Sequence, residues 1–287
     1  MKRILIVLLI TLVYKGTIKG QALSLPIQFN KQFYDLENHW VAFPKNEQTG
    51  KYPFGYIYID AMAGFTFNLE GSFTVDNKGK LFRDSSDYIK NKIVKYRLPR
   101  NTKLVYQIPD NLLKTLGVKQ TPDWAAIYKT DINTVAGKVS WGKQYNSAGD
   151  ISKALEYLES AYKIDPHAAG LEFELTYSYN ELKEYDKAIT ILDNAIKNKP
   201  DNEMLYRELG YSYAHKPDYP NAIKAYLKGI EIAGQRNPEA RAEMGWNLAT
   251  IYREEKIDTE FKKWGQYAKN CAPANTGIAK MLANLTF

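Results

Sequence analysis

The sequence predicts an α+β chain: a small antiparallel β-rich N-terminal domain followed by an α-helical, superhelical repeat domain. Two observations carry this. From about residue 135 onward, one set of residue types returns every 34 positions. Between residues 54 and 108, apolar residues alternate with polar ones at period two, the pattern of half-buried strands.

The repeat is read column by column. Ala154, Ala188 and Ala222 are 34 apart, as are Tyr145, Tyr179 and Tyr213, and Trp141, Leu175 and Leu209. Leu158, Leu192 and Tyr226 keep the same period, as do Ala161, Ala195 and Gly229. Within each unit the columns fall at i, i+1, i+4 on one helix and at i, i+4, i+7 on a second, so each forms a single stripe. Small residues at Gly142, Ala154 and Ala161 let two antiparallel helices approach closely. Turn signals such as Ala148-Gly149-Asp150 separate them, and Pro166 and Pro200 stop the second helix.

These columns resemble the tetratricopeptide repeat (TPR), whose pattern is W-x2-L-G-x2-Y, A-x3-F and P over 34 residues. The units are expected at 135–168, 169–202 and 203–236. A degenerate unit follows at 242–275, carrying Leu248, Ala249, Tyr252, Ala268 and Pro273, with Phe261 where a small residue is expected. Residues 276–287 read as the solvating cap helix that a repeat stack needs. The run Gly137 to Lys143 also has the G-x-x-x-x-G-K spacing of a phosphate-binding loop. Lys143 is followed by Gln144 rather than Ser or Thr, however, and Gly142 sits in a repeat column, so the run is assigned to helix packing.

In the first half, Tyr56 to Ile59 and then Phe65, Phe67, Leu69, Phe73 and Val75 mark strands, with a hairpin turn at Asp76-Asn77-Lys78-Gly79. Val94, Tyr96 and Leu98, a turn at Pro99-Arg100-Asn101, and Leu104, Tyr106 and Ile108 read as a second hairpin. Five or six strands are expected over 23–109, forming a small sheet or open barrel with one exposed face rich in Thr, Lys and Arg. Asp110 and Thr121-Pro122 look like helix starts. Leu112, Leu113, Leu116, Trp124 and Ile127 are expected to cover the first repeat, making 110–134 a cap for the stack.

Residues 1–22 have the form of a secretory signal: Lys2 and Arg3, an apolar run from Ile4 to Tyr14, then small residues near Gly20 and Ala22. That run is shorter than the ~20 residues a membrane span needs. The expectation is an exported product, periplasmic or secreted, with no integral span once mature. The net charge of +7 is concentrated ahead of the repeats, since residues 135–287 carry 20 basic and 21 acidic side chains. No basic block points to nucleic acid. With one cysteine, Cys271, no intramolecular disulfide can form.

Catalytic patterns are sparse. His39, His167 and His215 lack zinc-ligand spacing, and His167 reads as solvated. Cys271 has no nearby histidine in sequence and reads as a buried structural thiol. Asp60 and Glu70 are the one carboxylate pair that strand ends could bring together. The chain is therefore expected to be a non-enzymatic adaptor without cofactor or metal. An enzyme with its site in the β-rich domain and a homo-oligomerising structural protein are the alternatives.

A helical stack has an extended concave surface lined by the first helix of each unit. Helical spacing from the packing columns assigns to it Val139, Lys143 and Asn146; Phe173, Tyr177 and Asn180; Arg207, Tyr211 and Ala214; and Trp246, Thr250 and Arg253. The resemblance implies that extended peptides lie there. On this reading the aromatics cover ligand side chains and Asn146 and Asn180 bind its backbone. Lys143, Arg207 and Arg253 would favour an acidic ligand or a free C-terminal carboxylate. Envelope assembly or secretion is the expected setting.

Overall fold

The structure is a computed structural model and describes residues 27–84, 93–128 and 132–286. The expected signal segment lies outside the described residues. An antiparallel β half-barrel is followed by a stack of α-helices.

Six strands form one sheet: β1 (His39–Ala42), β2 (Tyr52–Asp60), β3 (Gly64–Val75), β4 (Leu81–Arg83), β5 (Val94–Arg97) and β6 (Tyr106–Gln107). The order is β4-β3-β2-β1-β6, with β5 also paired to β3. The long β2–β3 hairpin is the frame. The Asp76 carboxylate accepts the amides of Lys78 and Lys80 at 2.9 and 2.8 Å, which closes the expected turn into β4. The expected second hairpin does not form. β5 pairs with β3 and β6 with β1, so Pro99-Arg100-Asn101 joins strands on different parts of the sheet.

Helices pack on both sides of the β2–β3 frame, so the expected polar face is reduced, and on β5 Lys95, Tyr96 and Arg97 are exposed. Alternate residues divide between two cores: Ile57, Ile59, Phe65 and Phe67 face the repeats, whereas Phe54, Tyr56, Tyr58 and Phe73 face the other way. The second side is covered by α1 (Asp110–Leu116) and a 3-10 helix (Asp123–Tyr128). Leu113 and Leu116 are buried there and Trp124 packs edge-on to Tyr56 and Tyr58. Residues 110–128 therefore cap the sheet rather than the repeats, and Ile127 is 80% exposed. An amphipathic helix covers whichever apolar face is nearest, and the sequence pattern alone does not say which one that is.

The repeats follow as helix pairs: α2 (Val135–Ala148) with α3 (Ile151–Tyr162), α4 (Leu171–Glu181) with α5 (Tyr185–Asn198), α6 (Glu203–His215) with α7 (Tyr219–Ala233), and α8 (Pro238–Glu254) with α9 (Asp258–Cys271). The short α10 (Gly277–Leu282) packs on the last pair, burying Leu282. Side-chain caps set several starts. Thr134 Oγ1 accepts the Gly137 amide at 3.0 Å, and Asp150 Oδ1 accepts that of Lys153 at 3.0 Å. The phosphate-loop spacing thus lies inside a capped helix. A Cβ at Gly142 would lie 2.4 Å from Leu158 Cγ, so the glycine is there for helix contact.

The sheet closes the open end of this stack. Phe65 meets the Tyr145 ring edge-on with centroids 5.2 Å apart, and the backbone carbonyl of Ala61 accepts from Gln144 Nε2 at 3.3 Å. The Glu37 carboxylate accepts the Tyr145 hydroxyl at 2.6 Å and the Trp141 indole N–H at 3.4 Å. One apolar cluster consequently runs from Phe33 and Val41 through Trp141 and Leu158 to Leu175 and Ile191. Burial, and then the charge of Glu37, push the Tyr145 phenol far above its usual range.

Three expectations follow. Gly142→Ala overpacks the α2–α3 contact and should cost about 1–3 kcal/mol in urea unfolding. Gly277→Ala, with nothing within 4 Å of its Cβ, should stay within about 0.5 kcal/mol of the parent. Because the folded state holds the Tyr145 proton more tightly, its stabilising contribution is complete below the unfolded phenol pKa of about 10 and is lost as pH rises beyond it. Urea midpoints from about pH 9 to about pH 11 should fall more steeply for the parent than for Tyr145→Phe.

Candidate functional site

The concave face is built by α2, α4, α6 and α8. Their packing columns are buried, with Trp141, Leu175 and Leu209 at 4, 1 and 8% exposure. The helix face turned away from them is therefore the one left open. On it Phe173 and Tyr211 are each 37% exposed, large values for aromatics in a folded chain. Lys143 is exposed, and Tyr211 stacks on His215 with centroids 3.9 Å apart. The Arg253 guanidinium lies over the rings of Trp246 and Phe261, at 5.9 and 6.0 Å.

Asn146 and Asn180 behave differently from the expectation. They are 2 and 8% exposed and serve as rungs between neighbouring repeats. Asn146 Nδ2 donates to the Glu174 carbonyl and carboxylate, both at 3.0 Å, while its Oδ1 accepts from Ser178 at 2.8 Å. Asn180 Oδ1 accepts from Ser212 at 2.9 Å in the same way. Its Nδ2 is buried without a partner. The reason lies one repeat on. Glu208 occupies the position of Glu174, but Arg207 draws its carboxylate away with bonds of 3.1 and 2.8 Å.

Arg207 is therefore not a free cation for an acidic ligand. It also binds Glu243 at 2.6 Å across to α8, so two carboxylates already share its charge. Tyr177 is half-buried, and its hydroxyl accepts from Arg100 Nη1 at 3.4 Å; Arg100 also pairs with Glu181 at 3.0 Å. Burial first, and then Glu181, raise the Tyr177 phenol. Between α6, α8 and α10 lies a cavity of about 210 Å³, lined in part by Arg207, Tyr211, Glu243, Trp246 and Met281.

Sequence reasoning missed the acids, although Glu174 and Glu208 stand 34 apart and could have been read as a column. Arg100 gave no such signal, being 77 positions from Tyr177.

Elsewhere, Asp60 and Glu70 do not converge. Asp60 Oδ1 caps the β2–β3 turn through the amides of Met62 and Ala63, and Glu70 pairs with Arg83 at 3.0 Å. His167 is not merely solvated, since its Nδ1 lies 2.6 Å from the buried Glu172 carboxylate. Cys271 is half-buried rather than buried. Among the described residues no group of three His, Cys, Asp or Glu could hold a metal, and no helix is long and apolar enough to cross a membrane.

Residues 145–210 match the tetratricopeptide repeat family. The ~140 residues at the N-terminus match none. Solved structures similar to the chain include MamA, at 24% identity over 52% of this chain and 84% of that one, with a TM-score of 0.45. A second MamA structure gives 23%, 55%, 80% and 0.44. The APC/C hetero-tetramer Cut9–Hcn1 gives 23%, 52%, 29% and 0.44. No protein of curated function matches. The periplasmic or secreted location expected from the leader is corrected here: MamA is cytoplasmic and magnetosome-membrane-associated.

The Asn rungs of these repeat units are separable by mutation. Asn146→Ala strands several buried partners and should cost about 1–3 kcal/mol. Asn180→Ala, which also removes an unpartnered donor, should cost measurably less in the same urea titration.

Proposed function

We propose that the protein is a non-catalytic scaffold that holds an extended segment of a partner protein along the concave face of α2, α4, α6 and α8. The observation that carries this is the open row of aromatic side chains on that face, with Phe173 and Tyr211 each left 37% exposed by an otherwise packed stack. Exposed aromatics in a groove offer contact area at small entropic cost, and such residues dominate binding energy at protein interfaces.

In this reading Phe173, Tyr177, Tyr211 and Trp246 supply contact. Lys143 and Arg253 lie at the groove's two ends, and Asn146 is structural. The sheet is a rigid end cap that fixes the curvature of the first repeats.

Affinity capture with the full chain, beside a Phe173→Ala/Tyr211→Ala variant of unchanged circular dichroism, tests the reading. A partner held by the parent should be lost, or weakened about tenfold or more, in the variant. Equal retention by both would place binding outside the groove. Self-association visible by sedimentation, and lost in the same variant, would identify the partner as a second copy.

A further inference from the structure

Acids and cations both stand along the groove, and one of the acids, Glu181, takes its cation from outside the repeats. Glu174, Glu181, Glu208 and Glu243 stand on α4, α6 and α8. Burial first, and then Tyr185, Glu181, Glu208 and Tyr177, raise the Tyr211 phenol. The arginine that α6 contributes, Arg207, is spent on Glu208 and Glu243.

Into the end of the groove nearest the sheet the chain inserts a cation from another element. Arg100, in the turn after β5, places Nη1 3.0 Å from Glu181 Oε2 and 3.4 Å from the Tyr177 hydroxyl. The side chain crosses the C-terminus of α2 at Gly149, a left-handed cap with φ 97°. A Cβ at that position would come within 2.8 Å of Arg100 Nε, so the glycine leaves space for the arginine. A helix C-terminus also carries partial negative charge. The seat therefore combines a carboxylate, a phenol oxygen and a helix C-terminus, a set of acceptors suited to a guanidinium. The Arg100 and Glu181 side chains are 56 and 33% exposed, and ion pairs this open contribute little net stability. The seat can be vacated at small cost.

We infer that Arg100 stands in for the ligand, and that the groove takes a basic extended segment whose arginine or lysine displaces Arg100 from Tyr177 and Glu181. This rests on the groove reading above and reverses the acidic ligand expected from sequence. With Arg100 seated, only part of the population is open to ligand, which lowers apparent affinity in proportion.

The test is fluorescence anisotropy on the full chain with two labelled hexapeptides, one alternating glycine with arginine and the other glycine with glutamate. The arginine probe should bind at least about tenfold tighter. Arg100→Ala should tighten it by roughly threefold or more, while Glu181→Gln should weaken it. Arg97→Ala, the same charge change on an exposed neighbour, should leave it unchanged. Equal binding of the two probes, or equal tightening by Arg97→Ala and Arg100→Ala, overturns the inference. If Phe173→Ala/Tyr211→Ala weakens both probes equally while the Arg100 and Glu181 variants change nothing, the groove stands and its charge preference fails. Binding insensitive to every one of these substitutions overturns the groove reading itself.

Discussion

A stack of helix pairs has two ends, and each exposes the apolar face that the next pair would have covered. At the N-terminal end that demand is met by a β-sheet. Phe65 lies against Tyr145, and Glu37 accepts from both Tyr145 and Trp141. Trp141 and Tyr145 are repeat-column residues, so the carboxylate acts on the positions that define the first repeat. A charge-assisted bond of this kind contributes about 1.5–3 kcal/mol. Its larger effect is positional, because it sets the sheet against α2 and joins one face of the sheet to the first repeats in a single core.

The rest of the geometry follows from that junction. With one face committed to the repeats, the sheet needs a second cover, which α1 and the 3-10 helix provide by burying Leu113 and Leu116. With the sheet seated, the turn after β5 falls beside the C-terminus of α2, close enough for Arg100 to reach α4. The concave face is thus shaped at one end by an element that belongs to no repeat. Along its length, the Asn146–Ser178 and Asn180–Ser212 rungs hold consecutive first helices together. Buried polar rungs favour one relative placement of the helices, since sliding either helix would strand their donors and acceptors.

Much of this was legible in the sequence and some of it was not. The 34-residue period located the helix pairs, because packing at a fixed distance demands the same side-chain sizes in every unit. Gly142 and Ala154 could be assigned to helix contact on that ground alone, and the hairpin at Asp76 was readable from turn chemistry. The groove was legible as a face and misread in detail. Phe173 and Tyr211 are exposed as the helical spacing implies, whereas Asn146 is buried between helices. A position on a helical wheel gives direction, and burial depends in addition on how closely the next helix approaches.

The sequence by itself determined the class of each element, the repeat and the side of each helix that packs, since these depend on neighbours within a few turns of chain. Tertiary structure decided which apolar face α1 covers, where β5 and β6 pair, and which charges in the groove are free. Arg207 reads as an available cation until Glu243, 36 positions later, arrives beside it. Arg100 reads as a turn residue until the sheet docks. Electrostatic partners are set by distance in space, and a charge at one position carries no record of which distant side chain folding will bring against it.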